Sequence, residues 1–169
     1  MKKKLLIVGH GRAGKDLAGE YLESITGLKF AGTTSKFLTK YVAKELGRSE
    51  EDVYATRHRD RMLWKQIGDD IRKDDPSLLI RESLQHGEIV GGVRDIAEII
   101  AARNEGLVDL IVWIENIWVP VDPTVTFTER ECDLVIQNNW DIPQLSGIGP
   151  EFKRRLDRFA DFAGLIAPF

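Results

Sequence analysis

Cysteine is nearly absent. Cys132 stands alone among 169 residues, so no internal disulfide can form and a reducing, cytoplasmic setting is expected. Three scattered histidines offer neither a zinc cluster nor an HExxH helix. An excess of basic charge is also missing. The formal net charge is -3 and the pI near 5.7, which argues against a protein that coats a nucleic-acid polymer but leaves room for basic residues around a small anion. Long hydrophobic runs do not occur. Only four apolar residues separate the basic tip Lys2-Lys3-Lys4 from Gly9, too few for a signal peptide or a membrane span, so no membrane partner is expected. Repeats, low-complexity tracts and Pro/Ser-rich linkers are lacking too. What is present is 43% apolar residues, enough for one domain spanning 1–169 to bury a core without disulfides or metal.

Short apolar runs alternate with helical patterns, which predicts an α/β fold on a parallel sheet of about five strands, helices covering both faces. Strands are expected over 5–8, 28–31, 88–93, 110–114 and 134–137, the fourth being the most apolar and so the expected central strand. Helices are expected over 13–24, 35–46, 57–71, 77–86, 96–104 and 152–165, the second capped by Thr33, Thr34 and Ser35. Residues 116–131, with Pro120, Pro123 and alternating Thr and Val, suggest a mobile loop or small hairpin.

The main chemical signal is Gly9-His10-Gly11-Arg12-Ala13-Gly14-Lys15-Asp16, set between a strand and a helix. Glycines let successive backbone N–H groups turn toward one anion, the helix N-terminus adds positive dipole, and a lysine reaches the outer phosphates of a nucleoside triphosphate. Arg12 adds a further charge. The last position is usually Ser or Thr, whose hydroxyl binds Mg2+; here it is Asp16, a harder oxygen ligand. Helix capping is the other reading of Asp16. The same glycines also satisfy GxGxxG, but a dinucleotide site wants an acid about 20 positions further on, and none occurs from Gly27 to Lys44.

A second site has to come from the charged middle. Arg57, Arg59, Arg61, Arg72 and Arg81 precede Gly91-Gly92-Val93-Arg94-Asp95, where Arg and Asp follow a strand end, the place where wound sheets bind ligands. A guanidinium at Arg94 can fork onto phosphate, and Asp95 can hold metal-bound water or orient a hydroxyl. Glu115, closing the strand at 110–114, is the weaker candidate for a water-activating acid.

In these segments the chain resembles the phage-type deoxynucleoside monophosphate kinases, a branch of the P-loop kinases. The loop ending Gly14-Lys15-Asp16 is similar to theirs. So are Arg61 through Asp69 with Arg72 and Asp75-Pro76, Val93-Arg94-Asp95, and the last strand from Cys132-Asp133 to Asn138. The resemblance implies a three-layer α/β/α P-loop NTPase fold, with a substrate-binding helical section at 33–87 and a lid-like loop at 116–131. It implies γ-phosphate transfer from ATP, with Mg2+, to a (deoxy)nucleoside monophosphate. Lys15, Arg94 and Asp95 would be catalytic; residues 9–17, from Gly9 through His10, Ala13 and Lys15 to Leu17, would hold ATP with Arg130 and Asn138; Asp16 would hold the metal. Thr34, Arg61, Asp69, Arg72 and Arg94 would face the acceptor. Leu17 stands where relatives often have Thr, and Arg130 is the only basic residue of the lid-like loop. The likeness also implies location in the cytoplasm, a host's if the chain is phage-encoded, and is compatible with a homodimer. A non-catalytic nucleotide-binding module and an ATP hydrolase share the loop and stay open, as does, more remotely, an NAD(P)-binding Rossmann protein.

Overall fold

A computed structural model describes residues 2–139 and 147–166. The run Leu5-Leu6-Ile7-Val8 has no polar residue because, as β1 (Leu5–Val8), it is buried on both faces. Leu5 and Ile7 enter one core, Leu6 and Val8 the other. Beside it lie β2 (Phe30–Thr33), β3 (Ile89–Gly91), β4 (Leu110–Glu115) and β5 (Leu134–Gln137). All pair in parallel, in the order β2-β3-β1-β4-β5. The middle strand is therefore β1, and β4, expected there, is the inner strand next to it.

Helices cover both faces, which makes the three-layer α/β/α arrangement. On one face, Ala18 and Leu22 of α1 (Lys15–Thr26) pack with Phe152, Leu156 and Phe159 of α7 (Pro150–Phe162) over Leu5, Ile7, Val112 and Ile114. On the other, Ile80 of α5 (Leu78–Leu84) and Ile99 and Ala102 of α6 (Ile96–Asn104) cover Leu6, Val8, Val90 and Ile111. The section between β2 and β3 has a small core of its own. There Leu38 and Val42 of α2 (Thr34–Leu46), Val53 of α3 (Glu50–Ala55) and Trp64 of α4 (Arg61–Asp74) meet Leu79, with no strand residue among them.

Boundaries move for local reasons. Helix α1 starts at Lys15 rather than 13 because Gly14 sits at φ 101 and cannot continue a right-handed turn. Strand β2 starts two residues late, with a register shift between Phe30 and Gly32, although Leu28 is still buried in the first core. Helix α3 was not expected from the pattern. It is six residues long, started by Ser49, whose Oγ accepts from the Asp52 N–H at 3.3 Å, and by three acids in its first turn. Residues 116–128 contain no strand, so no hairpin forms there; Val119 packs against the first core and Phe127 is buried in the second. A 3-10 turn at Glu129–Glu131 ends the loop.

Candidate functional site

The glycine turn runs from the end of β1 to the start of α1 and depends on backbone angles that side chains rarely adopt. Gly9 lies at φ 141, and a Cβ there would stand 2.4 Å from the Ile114 carbonyl oxygen of β4. Gly14, at φ 101, would meet Asn138 Nδ2 at 2.5 Å. That amide is the loop's floor. Asn138 is buried at the end of β5, and its Nδ2 donates to the Ala13 carbonyl at 2.9 Å. Its action on the loop is thus through the backbone of Ala13, itself buried. Gly9→Ala is expected to cost about 2–4 kcal/mol, combining positive-φ strain with overpacking against β4. A thermal melt checks this; a melting temperature equal to that of the unsubstituted chain overturns the constraint.

Lys15 is the first residue of α1, and its Nζ folds back over the loop to donate to the carbonyls of Gly9 at 2.9 Å and His10 at 2.6 Å. Burial lowers its pKa to about 8, with Arg94 adding to the effect while the carboxylates of Asp16 and Asp122 oppose it. Asp16 follows in the first turn. Neither it nor any other side chain caps the helix, since the N-cap is Gly14 with no side-chain cap bond. The capping reading of Asp16 therefore fails. Its carboxylate accepts no hydrogen bond from the described residues and borders the same cleft as Lys15. A hard oxygen donor beside a phosphate loop suits Mg2+, which takes one or two carboxylates and fills the remaining positions with water and phosphate oxygens. No cluster of three His, Cys, Asp or Glu side chains that could hold a metal ion exists among the described residues.

The cleft has a volume of about 250 Å³. Gly9, Gly11, Arg12, Lys15 and Asp16 line it from the glycine turn and the start of α1, and Thr33, Ser35, Tyr54 and Arg57 from the end of β2, the start of α2 and the end of α3. Gly92, Val93 and Arg94 enter from the end of β3, with Asp122 and Val125 from the long loop. Thr33 is the N-cap of α2 yet makes no cap bond; its Oγ1 lies 3.1 Å from Ser35 Oγ, and both residues line the cleft. Arg57 lies over the Tyr54 ring, 4.3 Å from its centroid, and Nη1 donates to the Tyr54 carbonyl at 3.1 Å. Gly92, at φ 84, lets the ends of β2 and β3 close up, for a Cβ there would stand 2.8 Å from Thr33 Cβ.

No protein-family model matches the chain, and no curated protein does. Among solved structures, the shikimate kinase from Bacteroides thetaiotaomicron is 10% identical with a TM-score of 0.42, over 96% of this chain and 98% of that one. The shikimate kinase from Aquifex aeolicus is 13% identical, also at 0.42, over 95% and 96%. That from Acinetobacter baumannii, in complex with shikimate, is 13% identical at 0.39, over 99% and 82%.

Several residues singled out in the sequence stand elsewhere. Asp95 is the N-cap of α6: its Oδ1 accepts from the Ala97 N–H at 2.8 Å, and Glu98 completes a capping box, so Asp95 serves the helix and does not line the cleft. Thr34 is buried, with Oγ1 donating to the Gly92 carbonyl at 3.1 Å. Asp69 pairs on α4 with Lys65 and Arg72, each at 2.6 Å. Arg72 lies between Asp69 and the buried Glu98, 4.0 Å away, and Arg61 is exposed at the first turn of α4; none of the three lines the cleft. Arg130 sits at the wrong end of the sheet. Its turn precedes β5 and is bound by Arg103, near the C-terminus of α6, whereas the cleft lies at the N-terminus of that helix. Leu17 is partly exposed in the first turn of α1 and offers no polar side-chain atom. His10 packs edge-on against Trp113 and accepts at Nδ1 from the Asp122 N–H at 3.2 Å. The acid at the end of β4, Glu115, is also absent from the cleft lining.

Conversely, Asp122, Tyr54, Thr33 and Ser35 line the cleft although no site role is legible for them in the sequence, and Arg57 is one arginine among five. Tyr54 and Arg57 carried the one local clue, a three-residue spacing that lets a guanidinium cover a ring at a helix end.

Proposed function

We propose that this chain is an ATP-dependent phosphotransferase that passes the γ-phosphate to a nucleoside monophosphate, a deoxynucleotide by its resemblance, giving the diphosphate. One observation carries the reading: a single cleft is lined by the glycine loop, Lys15 and the N-terminus of α1 together with Arg57 and Arg94. Two phosphate-bearing ligands can thus meet there with cations around both. The acceptor phosphate is already a nucleophile at neutral pH, so neither a covalent intermediate nor a strong base is required. That agrees with the position of Asp95, which is held in a helix cap. Lys15 would draw charge off the transferred group, while Arg94 and Arg57 would fix the acceptor. Mg2+, held beside Asp16, would neutralise the phosphate oxygens of ATP.

Coupled ADP release, with and without each monophosphate in turn, tests this. A kinase releases ADP only with an acceptor, a hydrolase without one, and a non-catalytic binder not at all. Shikimate belongs in the same panel as a non-nucleotide acceptor, and transfer to it alone overturns the nucleotide reading.

The metal role of Asp16 has its own test. Asp16→Asn is expected to raise the Mg2+ needed for half-maximal rate by roughly tenfold, while Asp16→Ser, which supplies the hydroxyl of ordinary phosphate loops, does less harm. Both should melt close to the unsubstituted chain, because Asp16 makes no cap bond. Unchanged Mg2+ dependence in Asp16→Asn removes the metal role.

A further inference from the structure

The loop between β4 and β5 brings an acid, not a base, to the cleft. Asp122 Oδ2 accepts from Arg94 Nη1 at 3.2 Å, and Thr124 Oγ1 accepts from the same nitrogen. Acid and hydroxyl form one unit, since the Thr124 N–H and Oγ1 both donate to Asp122 Oδ1, at 2.9 and 2.6 Å. Burial pushes the Asp122 carboxyl up, but the Thr124 bonds and the charges of Arg94 and Lys15 outweigh it and hold the group below its usual range, ionised. The unit is fastened at both ends. The Asp122 N–H donates to His10 of the phosphate loop, and the Thr126 N–H donates to the Arg94 carbonyl at 2.9 Å. Thr126 Oγ1 accepts in turn from the Ile96 N–H at 2.9 Å.

This arrangement leaves one edge of the guanidinium open. A terminal guanidinium nitrogen carries two N–H groups, and at Nη1 the acceptors are Asp122 and Thr124; Nη2 and Nε bond to no described residue. Nη2 and Nε together make the fork that takes two oxygens of one phosphate. An arginine as exposed as Arg94, at 53%, otherwise has to be ordered when an anion arrives. Resting on the phosphotransferase reading, we infer that Asp122 is a positioning residue for the acceptor phosphate, anchoring Arg94 by one nitrogen so that its free edge is presented to the cleft. The loop thereby acts on the acceptor through Arg94 rather than by supplying a cation of its own.

The test is a titration of a deoxynucleoside monophosphate panel, and separately of ATP, into the unsubstituted chain, Asp122→Asn, Arg94→Ala and the double variant, alongside transfer rates. Asp122→Asn is expected to weaken monophosphate binding roughly 3- to 10-fold while changing ATP binding less than about twofold. In the Arg94→Ala background the same substitution should change monophosphate binding no further, because the residue it orients is gone. Additive losses, equal loss for ATP, or no binding of any monophosphate by the unsubstituted chain overturns the inference. Should Asp122→Asn fail to fold, Thr124→Val removes the other anchor and is read the same way. If no monophosphate accepts phosphate yet the binding pattern holds, the kinase reading falls and the anchoring stands. If transfer proceeds and Asp122→Asn binds monophosphate normally, the anchoring alone falls.

Discussion

Lys15→Ala is expected to lower phosphoryl transfer by about 10²–10³-fold or more while the fold survives. The reason lies in where the ammonium sits. Its Nζ is half-buried over the loop and, among the described residues, bonds only to the backbone carbonyls of Gly9 and His10, beside the N-terminus of α1, where charge on the moving group would develop. A preorganised cation in such a site stabilises the transition state far more than a solvated one does, and truncating a comparable donor costs 2.7–4 kcal/mol in other enzymes. Stability should change little. The lysine is already disfavoured as a cation by burial, and its removal leaves the apolar contacts of α1 through Ala18 and Leu22 in place. Initial rates with ATP and the best monophosphate, paired with a melt, check this. Near-normal turnover removes the phosphate-loop assignment; a collapsed melt assigns Lys15 to structure.

The second large effect is expected for Arg94→Ala. Arg94 lines the same cleft as Lys15 and its backbone is held independently of its side chain: Glu98 accepts from the Arg94 and Asp95 N–H groups at 3.3 and 3.1 Å. Truncation therefore removes a charge without moving the β3 end. Losing a bidentate contact to a dianion should raise the acceptor KM and lower kcat, together about 10²-fold in kcat/KM, with the KM for ATP altered little. A loss shared equally by ATP moves Arg94 to the donor side.

Much of the glycine turn was legible in the residues because its determinants are local. An all-apolar four-residue run reads as a buried strand, and Gly9 and Gly14 occupy positions whose positive φ admits little else. The second half was less legible. Arg94 was found because a strand end is a local feature that predicts a cleft. Asp122 was not, since its place depends on a loop that crosses back to His10, 112 positions away in the chain. Arg61 and Asp69 are on α4 as expected, and Arg72 is one residue beyond the helix expected over 57–71, yet α4 packs against α2 and places none of its residues in the cleft lining, which no spacing reveals. Asp95 is the opposite case. Asp-x-x-Glu before an apolar run is a capping-box pattern, present in the sequence and passed over in favour of chemistry at the strand end.

The small core beneath α2, α3 and α4 has a consequence for how such a chain can change over time. It contains no strand residue, and among the described residues Phe37 alone packs against both it and one of the sheet cores. Substitutions among Leu38, Val42, Val53 and Trp64 would therefore be absorbed within the helical section, leaving the strand ends and the glycine turn at their present register. Divergence could run at two speeds along one chain: slow in the sheet and the glycine turn, where Gly9 and Gly14 allow almost no alternative, and fast in the helical section.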